Sequence, residues 1–252
     1  MALYRTRAIV LKSINLSDSD RLITFLAENH GKVKCVAKGA RKVKNRFWGS
    51  LEPMSLIQLI YFGKENQNLY RLNQADIIES FQSIREDFGK LYKGVYFLEL
   101  IDSMILEGHQ DKRIFNLLKQ TLSALKQQTE LDSLIRLFEI RLLSLSGYKP
   151  QLDQCVVCKK VSENGTFKFN YIQNGIICYE CAKRVSTDIQ FSTGTRNYIK
   201  KLLEVEISSC GRIKIPKNQV EEVEKVTHRL VLSHLGREPK SYRFIKKMEL
   251  FN

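Results

Sequence analysis

Two cysteine pairs constrain this chain more than any other feature. Cys155-Val-Val-Cys158 and Cys178-Tyr-Glu-Cys181 are separated by the stretch 159–177. A two-residue gap lets both sulfurs of a pair face one ion, and two such pairs complete the tetrahedral shell that zinc accepts at about 2.3 Å per sulfur. The spacing therefore predicts one structural Zn2+ held by Cys155, Cys158, Cys178 and Cys181. Four protein sulfurs leave no open position for water, so the ion would shape the chain rather than act as a Lewis acid. Between the pairs, TFKFNYIQNGIICYE (Thr166 to Glu180) reads as two short strands around Asn174-Gly175, the turn of a zinc ribbon. Two other readings weigh less. Disulfides belong to oxidising compartments, and a redox dithiol sits beside a βαβ pattern that is missing here. Cys35, in a strand-like run, and Cys210, beside Gly211, have no second cysteine nearby and read as small buried residues.

The rest of the chain divides by hydrophobic period. Tyr4 to Lys12, Arg21 to Leu26, Lys32 to Val36, Ser55 to Gly63 and Leu69 to Ser80 have short-strand character, with Gly31 and Gly39 as punctuation and KENQN as a polar turn. Five short strands up to Ser80 predict an OB-fold, a small barrel that offers one face and its loops to single-stranded nucleic acid. After Ser80 the period changes. Leu91, Val95, Leu98, Ile101 and Ile105 recur at spacings of three and four, as a helix with one buried stripe requires. Ile114 to Gln127, Leu131 to Gly147, Phe191 to Val205, Lys217 to Gly236 and the closing KSYRFIKKM read as further helices, with Gly147 a C-terminal stop. The expectation is an α+β protein: an OB-fold over residues 1–80, an α-helical domain over 81–150 and 186–252, and a four-cysteine zinc-binding segment inserted at 151–185.

Charge points to the partner. Of 252 residues, 41 are Lys or Arg and 27 Asp or Glu, a net charge of +14, which favours a polyanion. The surplus sits at the two ends: residues 1–79 hold 13 basic and 7 acidic side chains, and residues 191–252 hold the same numbers. The run from Lys32 to Arg46 contains no acidic residue. A basic run on a strand and loop also occurs as a solvated edge that discourages aggregation, but the surplus along the chain favours an anion site. The start of the chain has no apolar signal region and no apolar stretch is long enough to span a membrane, so a cytoplasmic, nucleoid-associated protein is expected.

No phosphate-loop, dinucleotide-binding or H-E-x-x-H spacing is present, and the four histidines are scattered. Asp18 and Asp20 are close enough for a paired-carboxylate metal site, yet Asp beside Ser in a polar loop is the usual composition of a turn. The chain is expected not to be an enzyme.

Three segments, VAKGARKVKNRFWGSLEP (Val36 to Pro53), SGYKPQLDQCVVC (Ser146 to Cys158) and KSYRFIKK near the end, resemble in this order the RecO family of bacterial recombination mediators. The resemblance spans nearly the whole chain. It implies an N-terminal OB-fold, a helical part and a zinc-binding segment, and a role in DNA repair and recombination: binding single- and double-stranded DNA, annealing strands without ATP, associating with RecR, and helping to load RecA onto DNA coated by single-stranded DNA-binding protein. Some members lack the four cysteines, which assigns the metal a scaffold role. On this basis Lys34, Lys38, Arg41, Lys42, Lys44 and Arg46 are expected to track phosphates. Phe47 and Trp48 are candidates to stack on bases, although Trp48 could equally lie buried between barrel and bundle. Six neutralised phosphates give a slope of log K against log salt of about −4 on single strands. The rival reading is a zinc-stabilised basic adaptor that captures acidic protein tails and touches DNA only incidentally.

Overall fold

The computed structural model describes residues 2–64, 67–127, 131–161, 166–184, 189–213 and 216–249. Part of the KENQN turn and the boundary expected at 185/186 lie outside them. The first five strands, β1 (Ala2–Asn15), β2 (Arg21–Ala27), β3 (Gly31–Ala37), β4 (Leu56–Gly63) and β5 (Tyr70–Glu79), close into a barrel in the order β1-β2-β3-β5-β4. Closure requires β1 to serve two neighbours. Its first half pairs with β4 from Ala2 to Ile9, and its second half with β2 from Ala8 to Asn15, with a register shift between Val10 and Lys12 where the strand bends. β3 meets β5 in parallel at Cys35 and Val36, opposite Tyr70 and Arg71. This is the five-stranded OB arrangement. Inward residues such as Ala8, Ile23, Phe25, Cys35, Ile57 and Leu72 fill the interior, and burial pushes the Cys35 thiol up.

The chain forms two compact units, residues 1–127 with 239–252 and residues 128–238. In the first, the barrel is joined by α1 (Gln82–Arg85), α2 (Phe88–Met104), α3 (Lys112–Gln127) and α8 (Lys240–Glu249). Asp87 caps α2 by accepting from the Lys90 amide. The predicted stripe is only partly the buried one. Leu98, Ile101 and Ile105 are buried, but Val95 is exposed, and Gly94, Tyr96, Phe97 and Leu100 are buried too. More than one neighbour covers α2: Gly94 faces Met54 and Ile84, Tyr96 packs near Tyr242 of α8, Tyr92 stacks on Phe244 at 4.6 Å, and Glu99 accepts from the amides of Lys240 and Ser241, capping α8.

The second unit contains α4 (Asp132–Leu145), β6 (Thr166–Asn170), β7 (Gly175–Ile177), α5 (Tyr179–Ala182), β8 (Ile189–Ser192), α6 (Thr193–Glu204), a 3-10 turn over Ile207–Arg212 and α7 (Lys217–Leu235). Gly147, at φ 90°, ends α4 with the Tyr148 amide donating to Leu143 O, the stop expected from its sequence. The helix expected from Phe191 begins instead at Thr193. Phe191 and Ser192 belong to β8, which pairs with β6 to make a three-stranded sheet in the order β7-β6-β8, and Ser192 caps α6. No helix among the described residues is long and apolar enough to cross a membrane.

Candidate functional site

The connection between β3 and β4 carries most of the predicted basic site. Gly39 adopts φ 71°, and the Asp20 carboxylate, in the turn between β1 and β2, accepts its amide at 2.9 Å. The Arg41 amide donates to Ser19 O and its guanidinium to Ser17 O. Asn45 closes the tip, its Oδ1 accepting from the Phe47 amide while its Nδ2 donates to Lys42 O. Asp20 is thus an anchor for the loop rather than half of a metal site. The Gly39 amide and the Ser19 hydroxyl hold its carboxyl below the usual carboxylate range, with Lys38 and Lys42 contributing.

Anchored in this way, the loop presents Lys38, Arg41, Lys42, Lys44 and Arg46 to solvent. Among the described residues none of the five has a carboxylate within ion-pair distance. Lys34 differs: it lies on β3, half-buried, with its ammonium paired to Glu107. Its neighbour Lys32 is buried and bonded to Asp102. The two aromatic residues separate. Phe47 is 3% exposed and belongs to the barrel core, with the Arg46 guanidinium 4.8 Å above its ring, so it is not a stacking surface. Trp48 is 80% exposed, which removes the buried alternative.

The cysteine cluster is built by backbone turns. In the first pair Lys159, at φ 63°, reverses the chain, with its amide on Cys155 O and the Cys155 amide on Lys160 O. The second pair opens α5, where Ala182 N donates to Cys178 O. The Val156 amide reaches Ile176 O, tying the first turn to β7, and Gly175 permits it, since a Cβ there would lie 2.3 Å from Val156 Cγ1. The four sulfurs lie within 4.8 Å of one another, with Cys158 and Cys178 at 3.7 Å, so this cluster could hold a metal ion. None of the six cysteines is in a disulfide. Burial opposes ionisation of Cys155, but the amides of Cys158, Cys178 and Val157 outweigh it and bring the thiol down to about 6. Hydrogen bonding with Cys178, together with the other sulfurs, pushes Cys181 up to about 12, because a second negative charge beside the first is disfavoured. Cys35 and Cys210 are buried apart from the cluster.

Sequence reasoning missed the anchors Ser17 and Ser19, the Glu107 partner of Lys34, and the pair Arg21 and Glu52 beside Trp48, at 3.6 Å. Each depends on a contact between segments far apart in the chain.

The family described as "Recombination protein O N terminal" matches residues 1–81, and "Recombination protein O C terminal" matches residues 85–243. Similar curated proteins carry the name DNA repair protein RecO. The one from Alkaliphilus metalliredigens is 31% identical over 236 residues, 93% of this chain and 95% of its own. That from Desulfatibacillum aliphaticivorans is 32% identical over 248 residues, 96% of each. That from a Thermoanaerobacter species is 33% identical over 251 residues, 99% of each. With both halves matched and nearly the full length aligned, the chain belongs to the recombination protein O (RecO) family of DNA repair proteins.

Proposed function

We propose that this chain is a recombination mediator that binds single- and double-stranded DNA through the loop between β3 and β4. It anneals complementary strands without ATP and, together with RecR, loads RecA onto DNA coated by single-stranded DNA-binding protein. The observation that carries this is the set of five solvent-facing cations, Lys38, Arg41, Lys42, Lys44 and Arg46, with no carboxylate partner among the described residues, on one anchored loop beside an exposed Trp48. Two strands repel through their phosphates, and a surface that neutralises both while leaving the bases accessible lowers that barrier with no chemical step. No nucleophile or general base is needed, so the protein acts as a binder rather than an enzyme, near the nucleoid. Lys34 contributes only where DNA competes successfully with Glu107.

In the second unit the four cysteines hold one Zn2+. Sulfurs at about 2.3 Å from a tetrahedral ion stand about 3.8 Å apart, which the 3.7 Å between Cys158 and Cys178 matches. The ion supplies a cross-link and no open coordination position. In the proposed division of labour the barrel (residues 1–80) grips DNA, the helical parts (81–150 and 186–252) carry protein contacts, and the cysteine segment (151–185) is scaffold.

The test is binding and annealing by the purified chain across a salt series. Five neutralised phosphates give a slope of about −3.5 on single strands. A slope near zero, or DNA binding that is weak while an acidic peptide binds tightly, overturns the reading in favour of the adaptor. Annealing of strands coated by single-stranded DNA-binding protein, with and without RecR, tests the partner roles.

A further inference from the structure

We infer that the loop site contains a socket for one unpaired nucleobase, so that pairing of the strand withdraws a contact and loosens the protein's hold on the product duplex. The inference rests on the proposed DNA-binding role of that loop and adds what the loop recognises besides phosphate.

Beside Trp48 lies a cavity of about 300 Å³ lined by Ala40, Phe47 and Leu51, all three buried, and by Trp48, Arg21 and Glu52. Three features suit a planar heterocycle. The buried part of the lining is apolar and rigid, because Phe47 and Leu51 belong to the barrel core. Trp48 adds a large aromatic residue, 80% exposed, on which a base can stack. The lining also offers a donor beside an acceptor. The Arg21 guanidinium, its side chain 33% exposed, lies 3.6 Å from Glu52, whose side chain is 48% exposed. A donor and an acceptor side by side are what the edge of an unpaired base seeks, and what a base inside a duplex has already used. Asn45, also at the cavity, is consumed by its bonds to Lys42 and Phe47 and shapes the loop instead.

The same loop places the cations along the approach. Lys42, Lys44 and Arg46 immediately precede Phe47 and Trp48, so a strand whose phosphates follow them brings its bases to the indole. A duplex can satisfy the cations but cannot enter the socket without unstacking a base. Once a complementary strand pairs, the base leaves the indole and only the phosphate contacts remain.

Trp48 is the sole tryptophan, so its fluorescence reports this site alone. The experiment compares a thymidine oligonucleotide of about 16 nucleotides with an abasic strand of the same length, which keeps every phosphate and has no bases. Expected results are tighter binding of the thymidine strand by about tenfold, quenching of Trp48 by that strand only, and recovery of emission when the complement is added. Trp48→Ala should reduce thymidine-strand affinity to the abasic value and leave abasic binding unchanged, with Trp48→Phe restoring part of the difference. Because Trp48 is exposed, both variants should keep the parent melting temperature. Equal affinity of the unaltered chain for the two strands, or quenching that persists in the duplex, overturns the socket while leaving the electrostatic role intact. Undiminished binding of both strands by Lys38→Glu/Arg41→Glu/Lys42→Glu overturns that role itself.

Discussion

The barrel and the cysteine ribbon solve the same problem, holding short strands together, by opposite means. The barrel joins its strands edge to edge around an apolar interior, the longest of them, β1, serving two neighbours and the short β3–β5 contact at Cys35 and Val36 closing the ring, so no cross-link is required. The ribbon has strands of five, three and four residues in an open sheet, with Phe167, Phe169 and Phe191 as its apolar filling. So small a core cannot fix the two cysteine turns by burial alone. A metal ion held by the four cysteines would close that gap, whereas the barrel can devote its loop to cations that repel one another. On the proposed reading, one region depends on a ligand for its shape, and the other has shape to spare for binding one.

This contrast can be broken or sharpened experimentally. The largest effect is expected from metal removal: structural zinc sites contribute roughly 10 kcal/mol in small domains. Chelation, or Cys155→Ser, should abolish metal binding, measured by elemental analysis, and open residues 151–184 to protease while the barrel stays resistant. Loss of both regions together would show that the barrel leans on the ion. Next, Lys38→Glu/Arg41→Glu/Lys42→Glu should weaken binding to DNA of any sequence by about a hundredfold at low salt, read by fluorescence anisotropy, with no change in metal content. A smaller effect is expected at Lys34. Because Glu107 already engages it, Lys34→Ala should alter affinity by less than about twofold, whereas Glu107→Ala should release the ammonium and steepen the salt slope by about 0.7. The smallest concerns acid. Arg7 donates two hydrogen bonds to Glu28 and holds its carboxyl below the usual range. The stability this contributes is fully present above the unfolded value, about 4.3, and is lost as pH falls through the depressed folded value. Arg7 is 43% exposed, so the contribution is less than about 1 kcal/mol. Glu28→Gln should remove that part of the acid dependence in urea titrations, leaving a flatter profile.

Local patterns were readable from sequence and long-range ones were not. Each barrel strand lies close to its expected bounds because alternation and glycine punctuation are properties of neighbouring residues. The cysteine spacing likewise identified the cluster. β8 escaped notice because its short run, Ile189–Ser192, leads directly into the cap of α6, and the strong helical period that follows masks a strand so brief. Phe47 and Trp48 look alike on paper, and only the fold separates them, Phe47 in the barrel core and Trp48 exposed. Lys34 pairs with Glu107, in the segment that follows α2, and Lys32 with Asp102 of α2, so a run that reads as uniformly cationic contains two members already paired. Tyr96 packs against Tyr242 of α8, at the far end of the chain, which no period within α2 could reveal.

The capping of α8 by Glu99 bears on the order in which the protein is made. Residues up to Gln127 emerge from the ribosome first, yet the face of α2 that bears Tyr92 and Tyr96 receives Phe244 and Tyr242 only after the whole second unit has been synthesised. Until then the nascent chain carries an uncovered greasy flank beside a finished barrel, a state open to chaperones and to unwanted association. A stop codon after Pro239 would make that interval permanent.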